Sequence, residues 1–212
     1  RTSSFNFPVF VNGTQELYLI GLGVGKSKVE YRIKKFIDKI NEPLMQFINI
    51  GVAGSNQSFS EIGEIFLINK ITDEQFGHFY YPDILIDHSM MESDIVTVMD
   101  MVNDKDNIYN SLVDMEASEI FRVCSPIVHI HNIAFIKIVS DHMEIDLANF
   151  NGTLISSFIT DKLESIIIFL DRFKHLLKLA QPILSQMDID WVHKSKEKLL
   201  LTETKTKQLK DK

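Results

Sequence analysis

The sequence predicts an α/β protein in which strands alternate with helices around a mixed sheet. Two observations support this prediction: short apolar runs end in glycine-rich turns, and segments with helical spacing of apolar residues lie between them. The composition agrees, because 212 residues with 45% hydrophobic and 24% charged side chains fit a folded domain of ordinary size. A largely disordered chain is excluded.

Each element is predicted from its own apolar pattern. The strands are short apolar runs, and the helices carry apolar residues every three to four positions. Pro182 follows the last helix and would end it, because proline cannot continue a helical hydrogen-bond pattern. In chain order, the predicted strands are 16–22, 44–50, 64–68, 94–99 and 134–139, and the predicted helices are 28–40, 111–123 and 153–180.

The end of the chain is predicted to be a separate segment. Residues 1–183 form the predicted domain, and residues 184–212 form a helical, lysine-rich tail. We interpret this tail as a surface helix that frays. The alternative is a partner-docking helix whose apolar side carries Trp191 and leucines 199–201.

Charge and cysteine content exclude several classes of protein. The net charge of −7 argues against a general nucleic-acid binder, which would carry a basic face. A single cysteine, Cys124, excludes a disulfide framework and a cysteine-built metal site, and it suits a reducing cytoplasm. The seven histidines show no metal-binding pattern. We therefore predict a cytoplasmic protein without a metal.

The hydropathy of the sequence does not indicate a membrane protein. No apolar run reaches the roughly 18–20 residues of a membrane helix. The first residues are too polar for a signal peptide, and they do not begin with Met. We interpret the start of the sequence as trimmed, processed or incomplete.

Four polar or glycine-rich clusters indicate where a ligand would bind. Three of them follow predicted strands, and ligands of open α/β sheets bind at the carboxyl ends of strands. The fourth lies at the predicted start of a helix. The clusters are residues 21–26, residues 51–55, residues 114–117 and the pair Ser140 and Asp141.

Taken singly, each cluster allows a simpler interpretation. The glycine-rich segments fit tight turns as well as phosphate loops, and neither has the spacing of an established nucleotide motif. Asp141 is either a helix N-cap or an acid that gives a proton to a leaving group. Glu116 is either an exposed acid or a carboxylate that accepts hydrogen bonds from a polyol.

Read in order, the four clusters resemble the nucleoside phosphorylase and nucleosidase superfamily. FINIGVAGSNQSFSEIGEIFLINKI resembles its central strand, Gly-x-x-Gly turn and following Ile-Gly-Asp/Glu-Ile segment. LVDMEASEIFRVC resembles its Glu-Met-Glu-Ala helix, AFIKIVSD its Val-Arg-x-Ile-Ser-Asp strand, and LIGLGVGKSKVE its Ser-Gly-Ile-Gly-Lys turn. The most similar subgroup comprises the methylthioadenosine/adenosylhomocysteine nucleosidases and relatives such as futalosine hydrolase.

This resemblance implies a three-layer phosphorylase-like fold, with a central mixed sheet flanked by helices, and cleavage of an N-ribosidic bond. It also implies a small-molecule nucleoside as ligand, no cofactor and a homodimer. Asp141 would protonate the purine, and Glu116 would hold the ribose hydroxyls. The other residues that the resemblance places at the nucleoside are Met115 on the sugar, Ala53 and Gly54 at the central turn, Ser140 beside Asp141, and Met101 and Val102 as purine contacts.

Four departures from the family pattern bear on activity. The family opens with a Gly-Ala-Met-x-x-Glu segment whose glutamate activates water, and this sequence begins after that point, so no general base is assigned. Glu16 lies in the wrong segment to replace it. Val52 stands where the family has serine. Lys137 stands where the family has arginine, and lysine lacks the bidentate fork of the guanidinium group. The stretch from Glu64 to Asp114 is also short.

The arginine content favours hydrolysis over phosphorolysis. Arginines match the geometry of phosphate, and this chain has four, none in a glycine-rich turn. Lys26 could still bind an anion as a point charge. A phosphorylase and a catalytically impaired nucleoside- or partner-binding protein are the two alternatives to a hydrolase.

Overall fold

The computed structural model describes residues 5–14, 16–40, 44–103, 108–143, 152–179, 186–199, 202 and 205. The chain divides into two compact units, Arg1–Lys174 and His175–Lys212. The predicted boundary between residues 183 and 184 lies outside the described residues.

A six-stranded mixed sheet forms the centre of the first unit. Its order is β5-β4-β6-β7-β3-β8, and a further pairing of β4 with β8 closes five of these strands into a ring. β3 and β8 run parallel to each other and antiparallel to β7 and β4, respectively. The strands are β3 (Phe47–Gly54), β4 (Ile65–Asp73), β5 (His78–Tyr80), β6 (Met91–Thr97), β7 (Leu112–Asp114) and β8 (Ile133–Asp141).

A two-stranded antiparallel hairpin precedes this sheet. It pairs β1 (Val9–Val11) with β2 (Tyr18–Ile20), which is the centre of the predicted strand 16–22. β1 and β5 were not predicted, since strands of three residues are too short to show an alternation of apolar and polar residues. Val9 is buried against Phe36 of helix α1 (Lys26–Ile40).

The main core lies between the sheet and two helices. β8 carries buried residues along almost its whole length, which is typical of a strand covered on both faces. α1 and α2 (Ala117–Cys124) pack together, and Val29 and Ile33 of α1 join the strand residues in one cluster. The predicted α/β fold with a central mixed sheet flanked by helices is confirmed.

The predicted helix 111–123 is wrong in its first half. Leu112 and Val113 pair with β6 as a strand, and the helix begins only at Ala117. Asp114 causes this switch, because its side chain accepts the Ala117 N–H at 2.9 Å and so caps the helix from outside. The site residues of this segment therefore lie at a strand-to-helix turn.

The predicted helix 153–180 is two helices, α3 (Gly152–Asp161) and α4 (Leu163–Leu179). Two hydroxyls near the break bond back to helix carbonyls: Ser157 to Leu154 and Thr160 to Ser156. Such bonds compete with the helical pattern and bend it. The predicted stop at Pro182 lies outside the described residues.

The second unit contains helix α5 (Gln186–Leu199). Trp191 and Leu199 are exposed, and Val192 is buried. Leucines 200 and 201 lie outside the described residues. Across the described part of the chain, no helix is both long and apolar enough to span a membrane.

Candidate functional site

Gly54 is where three of the four predicted clusters meet. It pairs with Val113 of β7 on one side and with Asp141 of β8 on the other. Val113 is two residues before Met115, and Asp141 directly follows Ser140. The end of β3 therefore lies between the two segments that carry the predicted acid and the predicted sugar-binding residues.

The packing above Gly54 explains why glycine is needed there. A Cβ atom at this position would lie 2.8 Å from Cγ of Met143 and 3.1 Å from Oδ1 of Asp141. Side chains do not approach this closely without displacement. The Asp141 carboxyl group thus lies directly against the backbone of the central turn.

Asp141 is held in one orientation by three hydrogen bonds. The Ser140 hydroxyl donates to Oδ2 at 2.7 Å, and the Met143 N–H donates to Oδ1 at 2.8 Å. The Asp141 carbonyl accepts the Ser55 N–H at 3.0 Å. Met143 adopts φ 57°, a left-handed conformation that is uncommon for methionine and that the bond to Asp141 accompanies. The Ser140 hydroxyl thus contacts the Asp141 carboxyl group directly, and its role as a support for a catalytic acid stays a prediction.

Glu116 meets the first glycine-rich cluster. The Gly25 N–H donates to Oε1 of Glu116 at 3.2 Å. Gly23 and Gly25 have φ values of 73° and 99°, which a residue with a side chain would adopt only with strain. The turn that precedes α1 is thus a tight turn, as its simpler interpretation predicts, and it also presents an N–H group to a carboxylate.

The surroundings of Glu116 raise the pKa of its carboxyl group. Burial raises the pKa of this carboxyl group above its usual 4.5, and the nearby Asp114 charge raises it further. The Lys137 charge and the Gly25 N–H act in the opposite direction but do not cancel the increase. A perturbed carboxyl group beside a glycine-rich turn is typical of functional sites.

Replacing Glu116 by Gln is expected to stabilise the fold at neutral pH. Because the pKa of Glu116 is raised on folding, its contribution to stability is full below 4.5 and is lost as the pH rises through the folded-state pKa. Gln mimics the protonated form and avoids that loss. Thermal melts should show a higher Tm for Glu116→Gln at about pH 7–8 and no gain at about pH 4.

The matched control for this measurement is Glu61→Gln, which removes an exposed carboxylate. Its Tm should follow that of the unchanged protein at every pH. A Glu116→Gln variant that is less stable at neutral pH would show that the carboxylate contributes to stability instead of lowering it.

A buried polar chain runs beneath the turn that carries Glu116. Nζ of Lys137 lies 2.8 Å from Oδ2 of Asp114, and their side chains are 2% and 1% exposed. The Thr97 hydroxyl donates to Oδ1 of Asp114 at 2.8 Å. A Cβ at Gly51 would be 3.4 Å from Lys137 Nζ, so the small residue leaves room for the ammonium group.

An apolar cluster lies beside the two carboxyl groups. Val98, Val113 and Met143 are buried in it, and the partly buried Met115 and Val102 pack against them. Tyr109 also joins this cluster and donates its hydroxyl to Glu74. Met115, the predicted sugar contact, and Val102, one of the two predicted purine contacts, therefore pack against the same cluster.

Four other residues named from the sequence are exposed, buried in the main core or paired with another charge. Met101 is 50% exposed, and the Ala53 side chain is buried in the main core. Glu16 is bound to Lys174 at 2.6 Å on the surface. Lys26 bonds Asp73 at 2.9 Å, so its charge is already paired.

Met143, Thr97 and the hydrogen bond from the Gly25 N–H to Glu116 were not predicted from the sequence. A methionine in the left-handed region has no sequence signal of its own, although Asp two residues earlier is typical of an Asx turn. Thr97 ends a strand without any pattern that would relate it to Asp114. Among the described residues, no group of three His, Cys, Asp or Glu side chains is placed to hold a metal ion.

Solved structures show which class of protein has this fold. The chain has the fold of the nucleosidases, and the predicted resemblance is confirmed at that level. It is similar to the 5′-methylthioadenosine/S-adenosylhomocysteine nucleosidase of S. pneumoniae, solved with a transition-state inhibitor, at 17% identity and a TM-score of 0.57. That alignment covers 81% of this chain and 90% of the other.

Two further nucleosidase structures agree with the first. Futalosine hydrolase of Helicobacter pylori has 17% identity and a TM-score of 0.54, over 80% of this chain and 83% of that one. The methylthioadenosine/adenosylhomocysteine nucleosidase of Colwellia psychrerythraea, in complex with adenine, has 12% identity and a TM-score of 0.55, over 80% and 86%. No family model and no curated protein matches the sequence.

Proposed function

We propose that this protein is a hydrolase that cleaves the N-ribosidic bond of a purine nucleoside of the methylthioadenosine or adenosylhomocysteine type, or of a related nucleoside. The observation that carries the proposal is the junction at Gly54, where Asp141 adjoins one side and the Met115–Glu116 turn follows the strand on the other. The nucleosidase fold supports the reaction class.

The two carboxyl groups suit different steps of this reaction. Asp141, fixed by Ser140 and Met143, gives a proton to the purine and makes it a better leaving group. Glu116 accepts hydrogen bonds from the ribose hydroxyls, and its negative form stabilises the positive charge that develops on the sugar. Met115 and Val102 contribute an apolar surface.

The arrangement of cationic side chains favours water over phosphate as the acceptor. Arg32 donates to the Gly21 carbonyl at 2.6 Å, Arg122 binds Glu119 and Glu30, and Arg172 donates to the Asp87 carbonyl. These three arginines are therefore committed to contacts within the chain.

The glycine-rich turn gives a second argument for hydrolysis. Helix N-termini bind anions, and the N-terminus of α1 is where phosphate would be expected. Glu116 already places a carboxylate oxygen at the Gly25 N–H, and Lys26 is paired with Asp73. A phosphate ion at this turn would have to displace an internal anion.

Base release from four nucleosides tests the proposal. Methylthioadenosine, adenosylhomocysteine, inosine and futalosine are incubated with the purified protein, with and without inorganic phosphate, and free base is measured by chromatography. We expect release from at least one of them without phosphate. A strict phosphate requirement would identify a phosphorylase, and no release under either condition would contradict enzymatic cleavage of these substrates.

Nucleoside binding without turnover is the second candidate function. Two observations favour it. Glu16 forms a surface ion pair with Lys174, and the central turn carries Val52, so neither Glu16 nor Val52 is available to activate water. Calorimetry with adenine and methylthioadenosine separates the two functions: tight binding without base release supports a binding protein. The predicted homodimer and the cytoplasmic location stay predictions.

A further inference from the structure

At the start of α2, the residue at the N-cap position is not the residue that caps the helix. Glu116 occupies the N-cap position, and its side chain makes no capping hydrogen bond. Instead, Asp114 accepts the Ala117 N–H at 2.9 Å, and the Thr97 hydroxyl accepts the Ser118 N–H at 3.0 Å. Two residues outside the helix therefore bind its first N–H groups.

This arrangement changes what the Glu116 carboxylate can do. An N-cap side chain normally accepts an N–H from the second or third residue of its own helix. Here the N–H of the second residue, Ser118, is bound by Thr97, whose hydroxyl Asp114 orients by accepting its proton at 2.8 Å. The Glu116 side chain is directed out of α2 instead. It reaches the Gly25 N–H, 91 residues away along the chain, at 3.2 Å.

Asp114 can cap from this position only because its charge is compensated. It is 5% exposed, and a buried carboxylate without partners is strongly disfavoured. Lys137 provides the opposite charge at 2.8 Å, and Thr97 donates to the remaining oxygen at 2.8 Å. The carboxylate of Asp114 thus bonds an ammonium, a hydroxyl and a backbone N–H.

We propose that Asp114 and Lys137 are a positioning pair for Glu116. Asp114, neutralised by Lys137, binds the Ala117 N–H and orients Thr97, which binds the Ser118 N–H, and the Glu116 carboxylate is thereby held at the glycine-rich turn, where it binds a ligand's hydroxyl groups. The inference rests on the proposed role of Glu116 as the sugar-binding carboxylate. Neither residue of the pair needs to touch the ligand.

The electrostatics at Glu116 agree with this assignment. The charges that act on it in the described part of the chain are those of Asp114, on the strand before α2, and Lys137, from β8, and the Gly25 N–H faces it from the loop before α1. Asp114 raises the pKa of Glu116 and Lys137 lowers it. Any change to the pair should therefore be visible in how Glu116 titrates.

The Gly25 amide proton is the reporter that tests the inference without any activity assay. An N–H bound to a carboxylate bonds more strongly when the carboxylate is ionised, so its NMR shift should follow the ionisation of Glu116. We expect a pH titration of the Gly25 resonance in the unchanged chain. The titration should be absent in Glu116→Gln.

Two double variants separate positioning from a purely structural role. Both contain Lys137→Met, which avoids an unpaired buried lysine. With Asp114→Asn, the side-chain carbonyl can still accept the Ala117 N–H, so the Gly25 titration should persist. With Asp114→Ala, the Ala117 N–H and the Thr97 hydroxyl both lose their acceptor, so the Glu116 side chain can turn back to its own helix and the Gly25 titration should disappear.

The opposite outcomes overturn the inference. It fails if the Gly25 titration persists unchanged in the Ala-containing variant, or if the unchanged chain shows no titration that depends on Glu116. Should the Ala-containing variant not fold, the Asn-containing double variant decides, since loss of the Gly25 titration there would contradict positioning by the retained cap. Lys70→Met, which removes a partly exposed lysine on β4, controls for the loss of a lysine elsewhere in the sheet and should leave Gly25 unaffected.

Activity measurements then distinguish this inference from the proposed function. The Ala-containing variant should raise KM for the cleaved nucleoside by about tenfold or more, with a smaller effect on kcat, and the Asn-containing variant should not. If the Gly25 resonance behaves as expected and no nucleoside is cleaved or bound, the positioning pair stands and the proposed function fails. If the Gly25 resonance does not respond but nucleosides are cleaved, the proposed function stands and the positioning pair fails.

Discussion

Asp141→Asn is expected to lower the rate of base release by about 10²–10⁴-fold, which is the usual contribution of a positioned general acid. Asparagine keeps the size of aspartate, and its oxygen can still accept the Met143 N–H, so the local fold should be retained. It cannot give a proton to a purine. The loss should therefore appear in kcat, and nucleoside affinity should change little.

The matched control is Asp83→Asn, which neutralises an exposed aspartate. It should leave kcat and KM unchanged. Single-turnover base release and calorimetry with methylthioadenosine give the two readouts. A fully active Asp141→Asn variant would exclude Asp141 as the acid, and equal inactivity of variant and unchanged protein on every nucleoside would remove the main support for an enzyme.

Lys137→Met is expected to lower the free energy of unfolding by about 3–5 kcal/mol, because it leaves the Asp114 carboxylate buried without its counter-charge. The urea midpoint should fall accordingly. Asp114→Asn combined with Lys137→Met should cost less than Lys137→Met alone, since the pair is then replaced by uncharged groups. This comparison isolates the cost of one unpaired charge.

Lys70→Met provides the surface reference for this measurement. Lys70 lies 3.9 Å from Asp94 and both side chains are more than a third exposed, so removing it should change stability by at most about 1 kcal/mol. A double variant as unstable as Lys137→Met alone would mean that lost packing of the lysine side chain, and not the unpaired charge, accounts for the effect.

Most of the fold could be predicted from the sequence because its long elements have clear periods. The strand at 134–139 and the helix at 28–40 lie inside β8 and α1. The helix predicted at 111–123 begins too early, because Leu112 and Val113 are apolar in either structure and only the sheet pairing decides between them. The break between α3 and α4 depends on hydroxyl bonds that a hydrophobic pattern does not contain.

The sequence predicted which segments form the candidate site but not which residues contact one another there. The order of the four motifs indicated that Asp141, Glu116 and the central turn belong together. That Gly54 pairs with both flanking segments depends on strand register, which the apolar pattern leaves open between neighbouring strands. The capping of α2 by Asp114 depends on a lysine 23 residues later, and no local signal relates the two.

The closed ring of strands also determines how the site can move. β3, β7 and β8 each have a hydrogen-bonded neighbour on both sides, so none of them can separate from the sheet without breaking two ladders. Opening of these strands should therefore cost more free energy than opening of turns and loops, and their ladder amides should exchange slowly with solvent. The strand ends that carry Gly54 and Asp141 are joined in one hydrogen-bonded sheet, while Glu116 lies on the turn that follows β7.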